Sequence, residues 1–246
     1  MRVKTKTTVL FVFFLSVFSY AQTTTTIGTV SDIDDNVYNT VVIGTQVWMK
    51  ENLKTTKYND GSPIQYLTIP RDWTLDTIGA YCWYGNNANE FVWNNEMDYQ
   101  NDYGALYNWY AVSTGKLCPV GWHVPTDDEW HQLILFIDPD ATISVHDKNE
   151  SQIAGGKLKE IGVTHWHKPN TGATDEFGFR ALPGGVRIML AGLFFDAHEE
   201  GVWWSSTEIV SNSDRAWERR IFFDSTRIQR GYTRKGSGES VRCIKD

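Results

Sequence analysis

The sequence predicts a chain of mixed helix and strand, with short elements set among long ordered loops, and three observations carry that expectation. Thr126-Asp127-Asp128-Glu129 is a capping box with acids in its first turn; it runs into Trp130, Leu133, Ile134 and Ile137, and Pro139 sets the far limit. Residues 27–31 and 37–43 flank Asp34-Asp35-Asn36 as strand, turn and strand. From residue 179 onward, β-branched and aromatic residues fall into short runs at 179–182, 202–206, 216–223, 227–232 and 241–244, so the second half is expected to be mostly sheet.

Ahead of these elements, Arg2, Lys4 and Lys6 precede an apolar stretch at 9–18 that is short for a membrane span, and Ser19-Tyr20-Ala21 offers a cut before Gln22. Residues 1–21 therefore read as a secretory signal peptide and 22–26 as a Thr-rich leader. No cysteine lies near the cut, which argues against a lipid anchor. The expected address is periplasmic, cell-surface or extracellular, with no membrane span after signal cleavage. Residues 27–246 show neither an internal repeat nor a low-complexity linker, so one continuous domain is the simplest division.

Asp32, Asp34 and Asn36 match the first half of a calcium loop, but Val37 stands where such a loop needs glycine and the distal Glu is missing, so a turn is expected. Residues 57–101, rich in Asn, Asp, Gly and aromatics, have one short expected strand at 80–84 and otherwise read as long ordered loops. A shorter helix is expected over 152–160. Gly155-Gly156 and Gly184-Gly185 are expected to serve tight turns.

Charge narrows the partners. The whole chain carries a formal −7, and removing the three bases of residues 1–21 leaves 20 bases against 30 acids, a net −10 that argues against nucleic acid. All 11 tryptophans lie in the mature part. Cys82, Cys118 and Cys243 are too few for a disulfide scaffold and contain no C-x-x-C pair. One bridge with one thiol left over is expected; Cys118 with Cys243 is favoured because each flanks an apparent core segment, and Cys82 stays open as a partner.

Eight segments in order resemble a known family: Val-Val-Ile-Gly-Thr-Gln-Val-Trp-Met-Lys-Glu-Asn-Leu at 41–53, Tyr-Gly-Ala-Leu-Tyr-Asn-Trp-Tyr at 103–110, Cys-Pro-Val-Gly-Trp-His-Val-Pro-Thr at 118–126, Ala-Gly-Gly-Lys-Leu-Lys at 154–159, Pro-Asn-Thr-Gly-Ala-Thr at 169–174, Ala-Leu-Pro-Gly-Gly at 181–185, Trp-Trp-Ser-Ser-Thr-Glu at 203–208 and Ser-Val-Arg-Cys at 240–243. Together they resemble the Fibrobacter succinogenes major paralogous domain family, and the likeness covers almost the whole mature chain. It implies an α+β domain of the C-type-lectin-like fold, in its formylglycine-generating-enzyme branch, with short helices around small twisted antiparallel sheets. It implies no shared activity.

The formylglycine-generating relatives bind copper through a late cysteine pair, and with only Cys243 after Cys118 that pair has no counterpart here. No G-x-S-x-G elbow, H-E-x-x-H helix or phosphate-binding glycine loop is present. His165 and His167 lie on one side of an extended segment, as two metal ligands would, but no third ligand can be named and two exposed loop histidines are expected. Glu199 with Glu200, and Asp175 with Glu176, read as solvated loop charges rather than glycosidase pairs. No catalytic residue, cofactor or metal site is therefore expected.

Binding is the better-supported expectation. Trp203, Trp204, Trp217 and Tyr232 fall on or beside expected strands, with Glu218 and Arg230 close in sequence, and flat rings beside hydrogen-bonding groups suit sugars and protein hot spots. Consecutive Trp203 and Trp204 point to opposite faces of a strand, so at least one belongs to the core. The leading expectation is an exported binding module that takes a glycan or a cell-surface protein on the loops around residues 185–235. A structural or adhesive subunit is the alternative, and a formylglycine-generating-enzyme-like oxidase a distant third.

Overall fold

The opening hairpin forms where the sequence places it, with β1 (Thr26–Ser31) antiparallel to β2 (Val37–Ile43). The computed structural model describes residues 26–85, 99–144 and 148–246, so the signal peptide and almost all of the Thr-rich leader lie outside the described residues. Asp32 closes the hairpin turn, its Oδ1 accepting from the backbone amides of Asp34 at 2.9 Å and Asn36 at 3.0 Å. Asp34 in turn accepts from the Thr56 amide and pairs with Lys57 at 2.8 Å. These carboxylates are occupied by the turn and its neighbours.

The chain ends meet in one sheet. Across Gly44, β2 continues into β3 (Gln46–Met49), and the sheet is completed by β14 (Ile244–Lys245) and β7 (Trp122–His123) in the order β1-β2-β3-β14-β7. Ile244 pairs with both Trp48 and His123. The Cys118–Cys243 disulfide fastens this join over a sequence separation of 125 residues; closing a loop of that size is worth on the order of 4 kcal/mol in the chain-entropy account. Cys82 lies buried at the end of β5 (Ala80–Cys82), outside the bridge.

The aromatic-rich middle holds more structure than its sequence signals. β4 (Gln65–Tyr66), β5 (Ala80–Cys82) and β6 (Leu106–Tyr107) form a small mixed sheet, flanked by α1 (Pro70–Leu75), α2 (Tyr99–Tyr103) and α3 (Trp109–Val112). Helices this short span less than two turns and leave no period to read. Residues 86–98 of the expected loop region lie outside the described residues.

The capping box is realised at α4 (Asp127–Ile137): Thr126 Oγ1 accepts from Glu129 N, and Glu129 Oε2 accepts from Thr126 N at 2.8 Å. Such a cap contributes about 1 kcal/mol. The apolar stripe of α4 buries Trp130, Leu133, Ile134 and Ile137 against Trp48, Phe179, Trp203 and Ile221, with the Trp48 and Trp130 rings 4.8 Å apart.

Beneath α4 lies the largest sheet of the second half, in the order β11-β12-β13-β8: β8 (Asn149–Ser151), β11 (Glu200–Glu208), β12 (Arg215–Phe222) and β13 (Ile228–Arg234), all antiparallel. β9 (Gly184–Arg187) and β10 (Phe194–Ala197) form a separate hairpin. The strand expected at 179–182 does not form. Arg180 adopts the left-handed conformation, φ 52°, which breaks the extended run, and only an isolated bridge from Ala181 to Lys159 remains. The resulting architecture is α+β, mostly sheet with few short helices.

The paired glycines serve close approach more than turns. Gly155 and Gly156 lie inside α5 (Ala154–Leu158), where a Cβ at Gly155 would stand 2.1 Å from the Arg227 carbonyl oxygen. Gly185 sits in β9 at φ 64°, with the Phe195 carbonyl oxygen 2.4 Å from where its Cβ would be.

Candidate functional site

Strand register decides which of the sequence-selected residues reach the surface. In the β11–β12 pairing, Trp203 lies opposite Arg219 and Trp204 opposite Glu218, so the two tryptophans occupy the two faces of the sheet. Both faces are covered at that point. Trp203 packs beneath α4 and donates from Nε1 to Asn52 Oδ1 at 2.8 Å; Trp204 packs with Tyr107 and Trp109 and donates to the Tyr107 carbonyl at 2.7 Å. Each is 0 % exposed, so neither contacts a ligand, and the expected binding surface loses both.

Glu218 also leaves that surface. It alternates to the face opposite Trp217, lies buried, and its Oε1 accepts from Arg220 Nη2 at 3.0 Å, while Arg220 Nη1 reaches Glu200 at 2.7 Å. Burial and the neighbouring Glu218 push the Glu239 carboxyl well above its ordinary value. The Oε2 atoms of Glu218 and Glu239 both lack a hydrogen-bond partner among the described residues. Glu200, expected in a solvated loop, is instead a half-buried residue of this cluster whose carboxyl burial raises.

What remains is a ladder of side chains on one face of the β12–β13 hairpin. The register sets Arg215 opposite Arg234, Trp217 opposite Tyr232, Arg219 opposite Arg230 and Ile221 opposite Ile228. Ile221 and Ile228 belong to the core under α4. One rung out, Arg219 is fully buried between Asp127 at 2.7 Å and Glu150 at 2.6 Å, and Arg230 reaches Asp127 at 2.7 Å. Burial alone would raise the Asp127 carboxyl, but the Arg230 and Arg219 guanidiniums outweigh it and hold Asp127 below its ordinary value.

The third rung opens to solvent. The Arg230 guanidinium lies 3.3 Å from the Trp217 ring centroid, holding the indole flat, and Tyr232 meets Trp217 edge-on at 5.6 Å and 82°. Tyr232 is 46 % exposed. Arg215 stacks over Tyr232 at 5.2 Å, and beyond it Arg215, Tyr232 and Arg234 border a groove of ≈ 300 Å³ whose far wall is Ile188, Met189 and Leu190 of the β9–β10 turn. Of the residues expected from sequence, the structure thus brings together Trp217, Arg230 and Tyr232. Arg215 and Arg234 were missed. Their signal is the period-two pattern Arg-x-Trp-x-Arg at 215–219 answered by Arg-x-Tyr-x-Arg at 230–234, which places all six side chains on one face.

Of the two histidines expected to be exposed, His167 is and His165 is not, and both belong to a second cluster. His165 is largely enclosed, its Nδ1 2.5 Å from Glu160 Oε2, and Arg180 holds the other oxygen of that carboxylate. His167 stacks on His198 at 5.4 Å, and His198 sits between the Tyr99 hydroxyl at Nε2 and the His165 carbonyl at Nδ1. Burial lowers the His198 imidazole below the usual histidine value. Among the described residues no group of three or more His, Cys, Asp or Glu is arranged to hold a metal ion. Asp175, half-buried, accepts from the Arg180 amide at 2.7 Å and is likewise no solvated loop charge.

Fold and surface together define a disulfide-closed α+β chain with an aromatic and arginine face on its largest C-terminal sheet. A family model described as the Fibrobacter succinogenes major domain matches residues 41–245, and the chain belongs to that family. No curated protein and no solved structure matches it. Among the described residues, no helix is long and apolar enough to cross a membrane.

Proposed function

We propose that the chain is an exported, non-enzymatic binding module that recognises a glycan on the Trp217–Tyr232 face. The observation that carries this reading is the open ring of Tyr232, 46 % exposed yet fixed edge-on against a Trp217 that Arg230 clamps from its face. A rigid ring of this kind binds at small entropic cost, and a sugar ring stacks on it with its hydroxyls free to meet neighbouring polar groups. The adjoining groove of ≈ 300 Å³ matches a small ligand. A stable protein interface instead requires about 800 Å² from each partner.

Export is supported by the basic and apolar character of residues 1–21 and by the Cys118–Cys243 bridge, which belongs to an oxidising compartment. A C-type-lectin-like architecture is supported by the return of β14 between β3 and β7, which brings the two ends of the domain together beside short helices.

A glycan array probed with the purified chain and with Tyr232→Ala tests the reading. Binding to a defined set of glycans that disappears in Tyr232→Ala, with the melting temperature unchanged, supports it. A blank array, or binding that survives the substitution, contradicts it.

A further inference from the structure

The outer rung of the ladder carries a charge arrangement that folding alone does not call for. Arg215 and Arg234 stand directly opposite each other on antiparallel strands, where like charges repel. Asp214 lies between them at 3.9 Å from Arg215 Nε and 3.7 Å from Arg234 Nη1, too far for a hydrogen bond to either. Arg215 Nε is buried and has no hydrogen-bond partner among the described residues. Two guanidiniums thus share one loosely held carboxylate, in a chain whose formal charge is −7.

The inner rung shows what full compensation looks like on the same strands. There Arg219 and Arg230 are met by Asp127 and Glu150 at 2.6–2.7 Å. At the outer rung no carboxylate among the described residues comes closer than 3.7 Å, while both arginines line the groove and Tyr232 offers a ring beside them.

Resting on the glycan reading above, we propose that this groove, between residues 188–190 and the outer ends of β12 and β13, is a subsite for the carboxylate of an acidic sugar, with Arg215 and Arg234 as its anchors. A uronate matches the chemistry on both counts. Its carboxylate fits the forked donors of arginine, and its ring stacks on Tyr232 while an aliphatic edge lies toward Leu190, which is 75 % exposed.

The test is isothermal titration of the chain with an oligogalacturonate and with a neutral oligosaccharide of equal length, at low and high salt, repeated with Arg234→Gln and Arg215→Gln. The proposal expects tighter binding of the acidic oligomer, weakening with salt, and a loss of about tenfold in each variant, since one charge-assisted contact is worth roughly that factor. Retained melting temperatures show that the variants fold. Equal binding of the neutral oligomer, unaffected by either substitution, overturns the carboxylate subsite and leaves the glycan reading standing. No binding of either oligomer to the chain, nor of any glycan on the array, overturns both.

Discussion

Two arginine pairs on one face of one hairpin meet opposite fates. Arg219 and Arg230 lie under the N-terminus of α4, where Arg219 is 0 % exposed and every charge has a partner within 2.7 Å. Arg215 and Arg234 lie two rungs out, with side chains 34 % and 45 % exposed, and share one carboxylate at 3.7–3.9 Å. Burial makes the difference. An uncompensated guanidinium in the interior is too costly to survive, whereas at the surface water carries the charge and leaves it available to an incoming anion. Between the two pairs, Trp217 and Tyr232 mark where structural packing ends and the solvent-exposed surface begins.

Substitutions that break the inner end are expected to have the largest effects. Asp127→Ala removes the carboxylate that serves both Arg219 and Arg230 and should destabilise by about 3–5 kcal/mol in urea unfolding, because the buried Arg219 is left with Glu150 alone and Arg230 loses its ion pair. Trp204→Ala should cost a similar ~3–5 kcal/mol through the cavity it leaves between Tyr107 and Trp109. Trp217→Ala, at the half-buried middle rung, should cost clearly less than either and should abolish glycan binding.

The opposite face of β12 supplies a contrast of sign, since there carboxyls outnumber cations around Arg220. Glu239 holds its proton in the folded chain above the pH at which an unfolded glutamate, ordinarily near 4.5, releases it. The stability contributed by that proton is fully present below the unfolded value and is lost as pH rises through the folded one. Glu239→Gln keeps a hydrogen-bond donor in place of the Glu239 proton and should flatten this decline. Melting temperatures from pH 4 to 9 should therefore fall less steeply in the variant, and an identical slope would show that Glu239 does not hold its proton in the folded chain.

The smallest stability effect is expected at the outer rung. Asp214→Asn should change stability by no more than about 1 kcal/mol, as an exposed and loosely held ion pair does. It should also raise affinity for an acidic oligosaccharide a few-fold by removing a competing carboxylate. A large loss of stability would show that the outer pair is structural like the inner one.

How far the sequence speaks follows the range of the interaction. The α4 start is local, written in Thr126 and Glu129, and the structure places it where expected. The β12 and β13 strands are legible as short runs rich in β-branched and aromatic residues. The β3–β14 pairing was not, since Ile244 and Trp48 are distant in sequence and no local pattern reports which strands will meet. Alternation within a strand correctly separated Trp203 from Trp204, but whether a face is covered depends on α4 and on Tyr107 and Trp109, which no local pattern reports. The same alternation, applied across the hairpin register, removes Glu218 from the surface and adds Arg215 and Arg234.

The most direct measurement of the central claim is a ¹⁵N chemical-shift titration of the chain with the oligosaccharide that binds it best. The account predicts that the largest shifts fall on the Trp217 indole Nε1–H and on the amides of Arg215, Tyr232 and Arg234, with those of Trp203 and Trp204 unmoved. Shifts centred elsewhere, such as the groove between Gly44 and Phe136, would contradict it.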